Sequence, residues 1–276
     1  MLKSLLVLLN DARRAYQASD LARCWASSHD ALLVGLSILD IESLCGDEPV
    51  PMAGMSAKEQ RDQARLEDAR SKLVVVRDRF QSLGTQAHVP CKLLDEEGRP
   101  ADVIAREAQR YDIVLVDQPQ TPPALGTLSS DQLVAVVKHC PRPLVVVPSR
   151  STAETDVVIA YDGSLQAARA VQAFAQSGLA KDRQVRVVGA AEQFVTATRR
   201  VDRAVEFLSL HGITAKAIPV TSEEDPAAVI LDHLALYPTG LLVMGTFGQN
   251  IVREVLFGSV TRRLIEQCPV PIFLYH

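Results

Sequence analysis

The 276-residue sequence predicts an α/β protein in which one five-stranded, doubly wound parallel sheet is written twice in tandem. Three observations carry this. Short β-branched runs alternate with helical patterns, and the strand runs are apolar on both sides, as strands covered on both faces must be. A set of signals also recurs in order. Pro100-Ala101-Asp102-Val103-Ile104, the run Ile113 to Val116, and Cys140-Pro141-Arg142-Pro143-Leu144-Val145-Val146 return as Pro226-Ala227-Ala228-Val229-Ile230, Leu241 to Met244, and Cys268-Pro269-Val270-Pro271-Ile272-Phe273-Leu274. The Cys-Pro signals stand 128 residues apart (140 to 268) and the Pro-Ala signals 126 apart (100 to 226), the spacing of a small domain and not of a solenoid repeat.

In the second copy the elements read, in order, as Val157 to Tyr161 (strand), Gln166 to Gln176 (helix), Val185 to Ala190 (strand), Val195 to Leu210 (helix), Thr214 to Val220 (strand), Ala227 to Leu236 (helix), Leu241 to Met244 (strand), Val260 to Gln267 (helix) and Pro271 to Tyr275 (strand). Parallel strands joined this way need right-handed crossovers. The first copy keeps the order from Leu5 to Leu9 through to Leu144 to Val147, with a long helical stretch, Ala57 to Leu83, in the place of Val195 to Leu210. Proline at 141, 143, 269 and 271 ends the last helix of each copy and leads into its last strand. The polar stretch Pro148-Ser149-Arg150-Ser151-Thr152 marks a boundary, giving domains 1–150 and 151–276. Glu223-Glu224-Asp225 and Asp95-Glu96-Glu97 read as acidic helix entries, and Gly126 as a turn.

Charge narrows the partners. Basic against acidic residues number 18 to 20 up to Arg150 and 11 to 13 beyond it, so each half carries a formal −2. Neither has the basic excess that nucleic acid or an anionic membrane would select. The apolar run Leu5 to Leu9 ends at Asn10-Asp11 and Arg13-Arg14, too short for a membrane span or a signal-peptide core. Five cysteines (Cys24, Cys45, Cys91, Cys140, Cys268) form no CxxC pair and are odd in number, which fits buried thiols in a reducing compartment. The expected location is cytoplasmic.

In a doubly wound sheet ligands bind beyond the carboxyl ends of the strands where strand order reverses, which for five strands means the loops after strands one and four. In the second copy these loops hold the unusual residues: Asp162-Gly163-Ser164 after strand one, and Gly245-Thr246-Phe247-Gly248 running on to Gly258-Ser259-Val260-Thr261 after strand four. Glycines let backbone N–H groups approach an oxyanion, and Gly258-Ser259 stands where the last helix begins, so free N–H groups, the helix dipole and two hydroxyls converge on negative charge. Arg253, inside the loop, is a candidate to screen phosphate or a plain surface residue. The bland alternative is a turn at Gly245 and Gly248 and a helix cap at Ser259.

The pair of signals, Asp162-Gly163-Ser164 and G-x2-G-x9-G-S at Gly245, Gly248, Gly258 and Ser259, followed by Val260 and the C-P-V-P strand, resembles the universal stress protein family in its tandem-domain form. The resemblance is strong over 155–276 and weak before it. It implies Rossmann-like domains of the adenine nucleotide alpha hydrolase-like kind, and as cofactor ATP or another adenine nucleotide, with or without Mg²⁺. In ATP-binding members the glycine motif holds phosphates and ribose, the acidic residue after strand one lies beside the adenosine, and backbone at the end of strand two meets adenine. By position these are Gly245, Gly248, Gly258, Ser259 and Val260, then Asp162 with Gly163 and Ser164, then Gly189 or Ala190. Family members also associate through their last strands, which implies an internal pseudo-dimer of Leu144 to Val147 with Val270 to Tyr275, or a homodimer.

The first copy departs from the pattern. It has Asn10-Asp11-Ala12 after strand one and Asp117-Gln118-Pro119-Gln120-Thr121-Pro122-Pro123 after strand four, with Asp117 in the place of Gly245 and Asp131 near that of Ser259. Prolines remove N–H donors and carboxylates repel an anion, so this copy reads as degenerate. Catalysis has little behind it: there is no His-x3-His pair, nucleophile elbow or Walker loop, and His233 reads as a surface or half-buried helix residue. The leading function is a non-catalytic stress-response sensor or interaction module with one nucleotide site. The alternatives are a slow nucleotide hydrolase or nucleotidyl transferase in the same crevice, and a nucleotide-free protein-interaction module.

Overall fold

The computed structural model describes residues 1–9, 17–46, 55–119, 125–150, 155–246 and 259–276, the side chain of Ser259 excepted. It divides into two compact units, Lys3–Pro141 and Met1–Leu2 with Arg142–His276.

In the first unit, β1 (Ser4–Leu8), β2 (Leu32–Leu39), β3 (Cys91–Glu97) and β4 (Ile113–Asp117) are parallel in the order β3-β2-β1-β4. The inner strands are buried on both faces, as their uninterrupted apolar sequences require. Helices α1 (Gln17–His29), α2 (Ile41–Cys45), α3 (Met55–Gln86), α4 (Pro100–Glu107) and α5 (Ser130–His139) connect them. Only the second half of α3 buries a stripe, Ala69, Leu73, Val76, Phe80 and Gly84, at helical spacing. The acidic run Asp95-Glu96-Glu97 is not a helix entry: it lies in β3, and α4 starts later, with Pro100 in its first turn. Each carboxylate has a basic partner: Asp95 with Arg77 at 3.0 Å, Glu96 with Arg106 at 2.6 Å, Glu97 with Arg70 at 3.9 Å. Charged side chains on a strand at the end of the sheet order discourage further pairing. Gly126 does stand in a turn, at φ +79°.

In the second unit, β5 (Leu144–Val147), β6 (Val157–Ala160), β7 (Val185–Ala191), β8 (Ala215–Thr221), β9 (Leu241–Gly245) and β10 (Ile272–Tyr275) run in the order β5-β10-β9-β6-β7-β8. All pairs are parallel except β5 with β10, where Ile272, Phe273 and Leu274 face Val146, Val145 and Leu144 in antiparallel register. The last strands of the two sequence copies therefore pair with each other. The sequence repeat and the compact units do not divide at the same residue, because β5 packs with β10. Helices α6 (Leu165–Ser177), α7 (Phe194–Leu210), α8 (Pro226–Leu236) and α9 (Ser259–Gln267) fill the crossovers. Phe174 of α6 meets Phe273 of β10 edge to face at 6.1 Å, joining helix to sheet in the core. Pro219 sits in β8, at the end of the sheet order, where a missing N–H is tolerated.

Two expectations about single residues are corrected. His233 is buried, at 8% exposure, because α8 carries buried residues on both sides of it, Ile230 and Leu234. Of the five cysteines, none in a disulfide, Cys140 and Cys268 are buried, Cys24 is exposed on α1, and Cys45 and Cys91 are partly exposed. Burial raises the Cys268 thiol to about 12.

Candidate functional site

In the second unit β6, β7 and β8 extend in one direction and β9 and β10 in the other, so the strand order reverses between β6 and β9. The carboxyl ends of those two strands are where the sequence places its unusual residues. After β6, the Asp162 carboxylate accepts the Ser164 N–H at 2.9 Å, and Gly163 between them adopts φ +80°, a conformation that costs glycine little and other residues more. The Ser164 hydroxyl accepts the Ala167 N–H at 3.1 Å and caps α6. Ser164 is buried and builds the loop; Asp162 remains partly exposed.

Gly245 ends β9 directly against the first turn of α6. A Cβ there would lie 2.5 Å from the Gln166 carbonyl carbon and 2.8 Å from the Ala167 Cα, both backbone atoms. This glycine is therefore demanded by strand–helix packing, whatever else binds there. Thr246 follows, fully buried, its N–H donating to the Tyr275 carbonyl at 2.9 Å, which ties the start of the glycine loop to β10. Gly248, Arg253 and Gly258 lie outside the described residues. Helix α9 begins at Ser259, as expected, with Val260 partly exposed and Thr261 buried in its first turn.

At the end of β7 the structure adds a residue that the motif reading missed. The Arg200 guanidinium, from α7, donates through Nη1 to the Ala190 carbonyl at 3.2 Å. Its stem lies against Gly163, where a Cβ would be 3.4 Å from Arg200 Cγ and 3.7 Å from Nε. Arg200 thus bridges Gly163 and Ala190, two residues picked from sequence at different loops. The signal for it is helical period: Ala197, Val201, Ala204 and Leu208 are the buried stripe of α7, and Arg200 is one turn from both Ala197 and Ala204. Nothing in a run containing Arg199, Arg200 and Arg203 singles it out without the position of β7. Next to this bridge, burial pushes the Tyr161 phenol up, reinforced by Asp162 and opposed by Arg203.

In the first unit Asp117 ends β4 as Gly245 ends β9. It is 6% exposed, and its Oδ1 accepts the Ala18 N–H at 3.1 Å in the first turn of α1. A carboxylate delivered from a neighbouring strand therefore caps a helix start, at a position where the other copy brings bare backbone against the helix. Asp131 lies in the first turn of α5, whose start is closed by a Ser129–Gln132 capping box. Asn10-Asp11-Ala12 and Gln120-Thr121-Pro122-Pro123 lie outside the described residues. Among the described residues no group of three His, Cys, Asp or Glu side chains is placed to hold a metal ion, and no helix is long and apolar enough to cross a membrane.

Parallel strands covered by helices, with the strand order reversing at the carboxyl ends of β6 and β9, define this as a Rossmann-like α/β protein. Comparison with known proteins narrows the class. Residues 155–276 match the sequence model of the universal stress protein family. Over 292 aligned positions the chain is 21% identical to the universal stress protein Slr1230 of Synechocystis, covering 99% of this chain and all of that one. Among solved structures it is similar to a universal stress protein from Archaeoglobus fulgidus, with a TM-score of 0.70 at 15% identity over 98% of this chain and 97% of the other. A putative universal stress protein from Pseudomonas aeruginosa shares the fold at a TM-score of 0.58 and 13% identity, over 99% and 93% of the two chains. The match to the universal stress protein family lies in residues 155–276, and the likeness to the solved structures over the whole chain is one of fold.

Proposed function

We propose that residues 151–276 bind ATP or a related adenine nucleotide, that residues 1–150 are a copy of the same fold without the site, and that the chain acts as a non-catalytic stress-response sensor or interaction module. The observation that carries this reading is that the Asp162-Gly163 loop and the Gly245 strand end stand at one reversal of strand order, Gly245 lying directly against the start of α6.

The donor set fits such a ligand. The start of α9 at Ser259 and Val260 offers backbone N–H groups to phosphate oxygens, the role that the sequence resemblance also gives Gly248 and Gly258, with Mg²⁺ as a companion ion of the triphosphate. Asp162, with one oxygen on Ser164 and its side chain partly exposed, can accept from a ribose hydroxyl. The carbonyl of Ala190 points past the end of β6 and can accept from a base amine. In the first copy Asp117 takes the place of Gly245 and adds a carboxylate to the equivalent strand end, which supports a one-site chain.

The test is calorimetric titration of the full chain with ATP, alongside Gly258→Val. A branched side chain at the helix start blocks close backbone approach, and losing two or three charge-assisted hydrogen bonds of ~1.5 to 3 kcal/mol each weakens binding by at least two powers of ten. Ser259→Ala, which removes one hydroxyl, weakens it less. Parent-like ATP binding by Gly258→Val, with circular dichroism unchanged, overturns the reading.

A further inference from the structure

We propose that Arg200 selects the base in this site by competing with it for the Ala190 carbonyl, so that the ligand's purine is discriminated at its six-position. The inference rests on the nucleotide reading above and deepens it. Tyr161 N–H donates to the Val188 carbonyl at 2.9 Å, the last bond between β6 and β7 on that side before β6 turns away into Asp162. With a side-to-side period of two, the Ala190 carbonyl projects toward the same side but beyond the end of β6. It is an acceptor that the sheet leaves over, and a partly buried acceptor needs a donor. Arg200 Nη1 is that donor, at 3.2 Å, while the arginine stem rests beside Gly163, which has no side chain to exclude it.

Two kinds of base edge meet this arrangement differently. A six-position amine, as on adenine, donates to the same carbonyl and sets its N–H groups against those of the guanidinium, so Arg200 opposes it unless the arginine swings away. A six-position oxygen, as on hypoxanthine, cannot bond to the carbonyl but can accept from the guanidinium, so Arg200 helps it bind. One residue therefore acts with opposite sign on two otherwise similar ligands. Release is feasible because Arg200 and Ala190 are only partly buried, and water or solvent-facing carboxylates can receive the cation.

The experiment titrates the full chain and Arg200→Met with ATP and with ITP. Methionine keeps the stem and the helix propensity and removes every donor. ATP binding tightens about fivefold, the worth of one net hydrogen bond, and ITP binding weakens by a similar factor. ATP binding that appears only in the variant supports the proposal equally. If both nucleotides shift in the same direction, or neither shifts, Arg200 is only a packing residue and the proposal falls while the nucleotide reading stands. If neither protein binds either nucleotide, both fall. Arg200→Lys, which keeps a cation but loses the planar fork, moves the ATP to ITP ratio the same way by a smaller factor and carries the test if the methionine variant misfolds.

Discussion

Gly245→Ala separates packing from ligand binding at the position where the two are most easily confused. The added methyl carbon would stand 2.5 Å from one backbone atom of α6 and 2.8 Å from another. Neither can rotate away as a side chain would, and the first turn of α6 is held by the Ser164 cap at 3.1 Å. Relief requires β9 or the start of α6 to shift by about 1 Å, taking the Asp162-Gly163 loop with it. Overpacking of this kind costs ~1 to 3 kcal/mol, and contact with backbone places it at the upper end, about 3 kcal/mol. For chains of this size each kcal/mol moves the midpoint by ~2 to 4 °C, so Tm falls by about 6 to 12 °C. Thermal unfolding followed by circular dichroism, without nucleotide, is the assay. A Tm within 1 °C of the parent, by about the precision of the measurement, would refute the close approach and return Gly245 to a purely ligand-binding role.

Two further outcomes follow from single contacts. Asp117→Ala removes the cap on α1 and lowers stability by ~1 to 2 kcal/mol, read as a lower urea midpoint at unchanged slope; an unshifted midpoint would show that the Ala18 N–H is satisfied without it. His233 is buried against Tyr237, 4.6 Å between ring centres, with no hydrogen-bond partner for Nε2 among the described residues, and burial together with Arg186 holds its pKa below the usual value. The unfolded chain binds the proton more readily, near pH ~6.5, so stability falls as the pH drops below that value. His233→Leu flattens the slope of Tm against pH between about 7.5 and 5.5; identical slopes in parent and variant would contradict this.

The sequence alone determines the alternation of strands and helices and marks the loops of the candidate site. These rest on local properties: β-branched runs, helical period, proline at strand entries and glycine at strand exits, each visible within a few residues. The same locality explains the errors. Asp95-Glu96-Glu97 looks like a helix entry because acidic residues favour helix starts, yet it lies in β3, where Arg77 and Arg70 of α3 and Arg106 of α4, the helices on either side in the chain, meet it. His233 reads as a surface or half-buried helix residue, yet it is buried, with its ring against Tyr237 and Arg186 close enough to lower its pKa.

Tertiary structure decides what depends on two strands meeting. That β5 pairs with β10 follows from the family resemblance and not from the repeat, since an edge does not encode its partner, and that β5 thereby joins the unit of Arg142–His276 is decided only by the structure. That Gly245 must be glycine follows from the approach of α6, and that Asp117 serves as a cap follows from its reach to α1, 99 residues earlier in the chain. The carbonyl of Ala190 becomes an acceptor in need of a donor only because β6 ends before β7, and Arg200 acquires its role from that difference in strand length. Residue types and their spacing select the fold and mark the loops; the chemistry of each marked residue is settled by which backbone groups the finished sheet leaves unpaired.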